Sequence, residues 1–248
     1  MEIESAVEAT PQRVGAGRGC AIFVLFNVAQ FVVAIAGLIV AAITAVVRDI
    51  NAEQATKGLE PFLLAPAAFG GAFVLYILLR NWTPLWWREQ RADGFGWARL
   101  SGRRLAIAAV CGAAVAAVFL AVAMRFPPAD PSQLGPLAQL ARRGGLARAM
   151  LVIVAILIAP PVEEVLFRGL LLDGFTESWG FVPAAIVVTL LFVSLHFFDI
   201  YRYWPSAAAI AVLAVGTLIV RLRMRSITAA MILHAVYNAG VTVGGYLS

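Results

Sequence analysis

Long, uninterrupted apolar runs decide what this chain can fold into. Counted against the roughly 20 residues a helix needs to cross bilayer hydrocarbon, they predict about seven spans. These lie near residues 20–47, 62–79, 105–124, 146–172, 181–198, 205–220 and 227–247. The runs are continuous and lack the two-residue alternation of a barrel wall, so strands are set aside. The expected fold is all-α, a polytopic bundle of transmembrane helices. Composition agrees: 62% of residues are hydrophobic, 13% are charged and the mean hydropathy is +0.88, whereas soluble domains carry about 25% charged residues. The first run follows a polar, acidic stretch (MEIESAVEAT) and exceeds the ~7–15 apolar residues of a signal-peptide core, which reads as a retained anchor.

The few charges and special residues sit mostly between the runs. The net charge of +5 is carried by arginine, with Lys57 the single lysine. No Lys/Arg stripe resembles a groove-binding footprint, so nucleic acid is excluded as a partner and the lipid bilayer is expected as one. Cys20 and Cys111 offer neither a disulfide framework nor a CxxC site and read as packing residues. Four divisions follow: a polar segment 1–19, N-terminal helices over 20–124, a Pro-rich connection 125–145 (Pro127, Pro128, Pro131, Pro136) and a C-terminal core 146–248. Within the second, residues 80–104 hold six arginines and four tryptophans, suited to the headgroup level. With an inside N-terminus, inner segments carry 11 Lys/Arg and outer ones 6, which favours N-in and C-out. The alanine- and arginine-rich composition suggests a prokaryotic cytoplasmic membrane.

Ionisable groups inside the C-terminal runs then stand out. Glu163, Glu164 and Arg168 lie in PPVEEVLFRGLLL, and the chain's two histidines, His196 and His234, lie in two later runs. Each such group costs about 2.5–3.5 kcal/mol on insertion scales, so they need pairing or a wet cavity. Pro160 and Pro161 predict a kink or a helix restart, with the carboxylates just past the break. Side chains four apart share a helix face, so Glu164 pairs with Arg168 while Glu163 is directed elsewhere and stays free to take a proton. A hairpin turning at Ser178, Trp179 and Gly180 would bring Glu163 and His196 to the same depth. Phe192 packs four residues before His196, and Asn238 lies four after His234 on the same face. Gly240 and Gly244 form a GxxxG pair, which speaks for close helix packing.

Each group alone has a structural explanation: an interhelical histidine bond, a structural ion pair, an asparagine as interhelical glue. Together they fall into three helical clusters, a pattern that packing needs alone would scatter. A shared intramembrane site is the expectation.

The clusters resemble the motifs of the CAAX prenyl endopeptidase and bacteriocin-processing family, also called the Abi or type II CAAX proteases. That family's EExxxR, FxxxH and HxxxN stand here as Glu163-Glu164-x-x-x-Arg168, Phe192-x-x-x-His196 and His234-x-x-x-Asn238, in order and without departure. The resemblance covers about residues 146–248 and implies an intramembrane endopeptidase acting on a membrane-associated, CAAX-type protein or peptide. It implies that Glu163 activates a water, that His196 helps hold it, that His234 and Asn238 stabilise the oxyanion, and that Glu164 with Arg168 supports the site. Phe192 is a substrate-contacting candidate. Glu163, His196 and His234 would also make a three-ligand site for a divalent metal such as zinc. HExxH is absent, and a glutamate-activated water uses the same residues without a metal.

Two other classes compete. A proton-coupled transporter would also chain carboxylates, arginine and histidines, but only one half of this chain carries polar groups and no inverted halves are visible. A non-enzymatic immunity or scaffold factor would tolerate loss of a motif residue, and none is lost.

Overall fold

The structure, a computed structural model, describes residues 15–51, 54–55, 68, 70–80, 100–130, 133–134, 138–139 and 145–247. Its regular elements are helices throughout: α1 (Ala16–Arg48), α2 (Gly70–Arg80), α3 (Gly102–Arg125), α4 (described below), α5 (Phe181–Leu195), the short α6 (Phe197–Ile200), α7 (Trp204–Met224) and α8 (Ile227–Leu247). Five of them are long and apolar enough to cross a membrane, and α2 and α5 are shorter apolar helices. Each of the seven expected apolar runs thus contains a helix among the described residues, and residues 62–67 of the second run lie outside them. Residues 81–99 of the tryptophan-rich segment and residues 131–132, 135–137 and 140–144 of the connection lie outside the described residues.

Apolar side chains cover the outside of the bundle. On α1 alone, Val24, Phe31, Val32, Ile35, Leu38, Ile39 and Ile43 are exposed. Water would penalise such a surface and lipid does not, so the protein is an integral membrane protein.

Helix α4 differs from its sequence expectation in an informative way. It runs without interruption through Gly145–Ile153, Val154–Ile158, Ala159–Glu164, Val165–Leu171 and Leu172–Trp179, and the second and fourth of these segments are wide π turns. The disturbance expected at Pro160 and Pro161 is present as a change of register: a wide turn ends at Ile158, and a six-residue α segment begins at Ala159 with the prolines in its first turn. Proline lacks an N–H and its ring crowds the carbonyl four residues back. The helix answers by widening rather than breaking: the Ala159 N–H reaches back five residues to the Val154 carbonyl. Downstream, the Leu172 N–H reaches the Phe167 carbonyl in the same wide register. Wide turns of this kind recur at functional sites.

The expected hairpin is present. Trp179 ends α4, Gly180 turns with φ +81°, and α5 begins at Phe181. Helix α5 stops at Leu195 because His196 leaves helical geometry (φ −94°, ψ 13°).

Helix α8 lies at the centre of the C-terminal core, packed on α3, α7 and α4. Small residues set its distance from α3. A Cβ on Gly112 would collide with the Leu233 backbone carbonyl, one on Gly240 would sit 2.7 Å from the Ala116 Cβ, and one on Gly244 would meet the Leu120 side chain. The GxxxG pair is thus a packing motif, and α3 is what holds Leu233 and its neighbour His234 in place.

Backbone cannot yield where a side chain can, so these glycines should differ in tolerance. Gly112→Ala is expected to cost about 1–3 kcal/mol by overpacking, whereas Gly244→Ala should cost under ~1 kcal/mol because Leu120 can change rotamer. Thermal unfolding of the purified protein in detergent measures both, and equal losses would contradict the assignment.

Candidate active site

Four helices bring the polar residues together. On α4, Glu164 and Arg168 form the expected pair, Arg168 Nε lying 3.3 Å from Glu164 Oε2 with side-chain exposures of 1% and 0%. Glu164 Oε2 has no hydrogen-bond partner among the described residues, so the contact is an ion pair held mainly by charge. Arg168 adds two partners: Nη2 donates to the Ala214 carbonyl of α7 at 2.9 Å, and the guanidinium lies 4.2 Å from the centre of the Phe192 ring on α5. Such cation–π contacts are worth about 2 kcal/mol when desolvated.

The second oxygen of Glu164 carries a contact the sequence does not announce. His234 Nδ1–H donates to Glu164 Oε1 at 2.9 Å, both groups being buried. The other face of the imidazole looks toward the first glutamate: His234 Nε2 stands 3.9 Å from Glu163 Oε2. Glu163 is the more accessible of the pair, at 19% exposure, yet its Oε2 atom is buried and has no hydrogen-bond partner among the described residues. One imidazole therefore bridges the two glutamates, tied to one and facing the other.

His196 is placed by its own helix. Its Nδ1–H donates to the Phe192 carbonyl at 2.9 Å, which leaves Nε2 as the lone-pair nitrogen of the neutral ring. No hydrogen bond or ion pair joins His196 to Glu163 among the described residues. The two histidines share Phe192 instead, whose ring centroid lies 4.9 Å from that of His196 and 5.8 Å from that of His234. Phe192 is fully buried. The residue expected at the substrate thus touches Arg168, Phe167 and both imidazoles.

Asn238 follows one turn after His234 on α8. Its Nδ2 donates to the Ala155 carbonyl of α4 at 2.7 Å, using one of two N–H groups. The proline-widened turn is the signal that could have pointed to this contact, because a wide turn ahead of two prolines leaves a carbonyl without a helical donor.

Of the candidate metal ligands, each histidine keeps Nε2 as its available nitrogen. His234 Nδ1 is committed to Glu164 and His196 Nδ1 to Phe192. Among the described residues, no three His, Cys, Asp or Glu side chains group as a metal ion requires.

A partly accessible carboxylate thus faces an anchored imidazole within helices apolar enough to cross a membrane. Residues 145–240, which hold all the residues above, match the family model described as Rce1-like, type II CAAX prenyl endopeptidase. Neither curated proteins nor solved structures give a significant match to the chain. Over those residues the chain is thus similar to CAAX-type membrane proteases.

Breaking the buried pair strands a charge, which costs about 3–5 kcal/mol. Glu164→Ala and Arg168→Ala should each lower the unfolding temperature markedly, and Glu164→Gln combined with Arg168→Met should lower it less than either single change. Unfolding temperatures unchanged in the single variants would contradict the pairing.

Proposed function

We propose that the protein hydrolyses a peptide bond of a membrane-associated protein or peptide, of the prenylated CAAX type, with water activated at Glu163. The observation that carries this reading is the 3.9 Å approach of the Glu163 carboxylate to His234 Nε2, on an imidazole whose other nitrogen is anchored to the buried Glu164. Glu163 takes a proton from the water, while the lone pair of His196 Nε2 helps hold it. The water oxygen bonds to the peptide carbonyl carbon, and the carbonyl electron pair moves onto oxygen. His234 and the second N–H of Asn238 stabilise that oxyanion. Donors of this kind are worth about 2.7–4 kcal/mol each. Glu163 then passes its proton to the leaving nitrogen as the carbon–nitrogen bond breaks. Glu164 and Arg168 act through His234, holding it in position.

Composition supports a prokaryotic cytoplasmic membrane as the setting, and the Lys/Arg distribution an inside N-terminus.

The test incubates detergent-purified protein with a prenylated CAAX reporter and with unmodified membrane peptides, each with and without chelator. Cleavage of the prenylated reporter that survives chelator is expected. Glu163→Ala and His196→Ala should each lower the rate at least ~100-fold with unfolding temperatures within a few degrees of the parent. Full cleavage by purified Glu163→Ala protein would remove the assigned base. Loss of activity in chelator, restored by zinc, would replace the metal-free reading.

A further inference from the structure

The Asn238 contact with α4 raises a question of origin, because a helix carbonyl ordinarily has a donor in its own helix. In regular α geometry the Ala155 carbonyl would accept from the Ala159 N–H. Here that N–H is spent on the Val154 carbonyl. The following residue, Pro160, has no N–H to offer. Ala155 is thereby left without a helical donor in a segment that crosses a membrane, where an unmet backbone group has no water to turn to. Helix α8 supplies the missing donor through Asn238 Nδ2, 2.7 Å away.

The consequence runs in both directions. The amide satisfies the carbonyl, and the carbonyl orients the amide. The two N–H groups of an amide diverge from one nitrogen at a fixed angle, so anchoring one aims the other. We infer that Pro160 is a positioning residue: by forcing the wide turn Val154–Ile158 it frees the Ala155 carbonyl to hold the Asn238 amide in its working orientation. Only the kinetic arm of this inference rests on the peptidase reading, since the structural arm concerns the bond between α4 and α8.

A double-mutant cycle separates the two. Pro160→Ala restores an N–H and removes the ring, so the helix can close in the four-residue register with the Ala159 N–H back on the Ala155 carbonyl. Asn238 then loses its anchor. Parent, Pro160→Ala, Asn238→Ala and the double variant are compared for kcat, KM and unfolding temperature in detergent. Asn238→Ala should lower kcat about 100-fold. Pro160→Ala should lower it about tenfold or more with KM within about twofold, and the double variant should be no worse than Asn238→Ala alone. Asn238→Ala should also lower the unfolding temperature of the parent by a few degrees and that of the Pro160→Ala protein by about none.

Parental kcat in Pro160→Ala, or kcat losses that multiply in the double variant, would overturn the inference. If the parent cleaves no reporter, the peptidase reading fails and the temperature cycle still decides: equal losses in both backgrounds sink the inference. Should Pro160→Ala protein not accumulate, Pro160→Ser carries the same N–H and must give the same pattern.

Discussion

An arginine and a glutamate buried together inside a membrane bundle constrain everything around them. Arg168 and Glu164 are all but inaccessible, and a lone ion in such a place is several kcal/mol uphill. Neither is sustained by the other alone. The guanidinium spreads its charge over Glu164, the Ala214 carbonyl and the face of Phe192, and the carboxylate divides between Arg168 and His234. These partners come from α4, α5, α7 and α8. The packing of four helices is thereby coupled to one ion pair, and a shift in any helix would leave a charge or a dipole unmet. Such a network buys rigidity where a reacting group must be held to a fraction of an ångström.

The π turns give that rigidity its particular geometry. Glu163 and Glu164 sit in six residues of α helix, Ala159–Glu164, bounded on both sides by wide turns. The upstream turn follows from chemistry in the sequence, two consecutive prolines that cannot donate. The downstream turn, Val165–Leu171, is entirely buried and contains Arg168, so the residue that closes the ion pair lies on widened backbone. Helix α8 meets both regions, through His234 at Glu164 and through Asn238 at Ala155. Since His234 precedes Asn238 while Glu164 follows Ala155, α8 runs antiparallel to α4. The distance of α8 from its other neighbour, α3, is set by glycines at positions 112, 240 and 244.

Legibility in the sequence followed the range of the interaction. Apolar runs report burial in lipid residue by residue, so among the described residues a helix lies within each expected span. The Glu164 to Arg168 pair is an i, i+4 relation within one helix, and Phe192 beside His196 is another; both could be read from spacing. Pro160 and Pro161 were legible as a disturbance, and the wide turn ahead of them was not, because propensity alone does not give the register of a packed helix. The bond from His234 to Glu164 was not legible at all. It depends on where α8 lies against α4, which α3 decides through the close approach at Gly112. Equal arm lengths in the hairpin suggested Glu163 opposite His196, yet the imidazole nearest its carboxylate belongs to His234, because arm length fixes depth and leaves the facing direction open. Asn238 was readable as sharing a face with His234, but its partner is a backbone carbonyl, a group every residue carries and no sequence marks.

Two adjacent glutamates illustrate how environment separates identical chemistries. Successive helical residues point about 100° apart, so Glu163 and Glu164 cannot look at the same neighbours. Glu164 turns inward, is fully buried and is held by a cation beside one oxygen and an imidazole N–H on the other; burial closes it off from any reacting group, although its Oε2 makes no hydrogen bond among the described residues. Glu163 turns toward the accessible side, retains 19% exposure and has an oxygen with no hydrogen-bond partner among the described residues. Only the second can exchange a proton with something that comes and goes. His234 couples them, since the nitrogen held by Glu164 fixes the direction of the nitrogen that faces Glu163. A charge placed at one end of the row Arg168, Glu164, His234, Glu163 is felt along its length in a medium with little screening. The structural pair and the reactive carboxylate are in this sense one electrostatic unit, and a change at Arg168 should be read at Glu163 even though no atom of the guanidinium need touch a substrate.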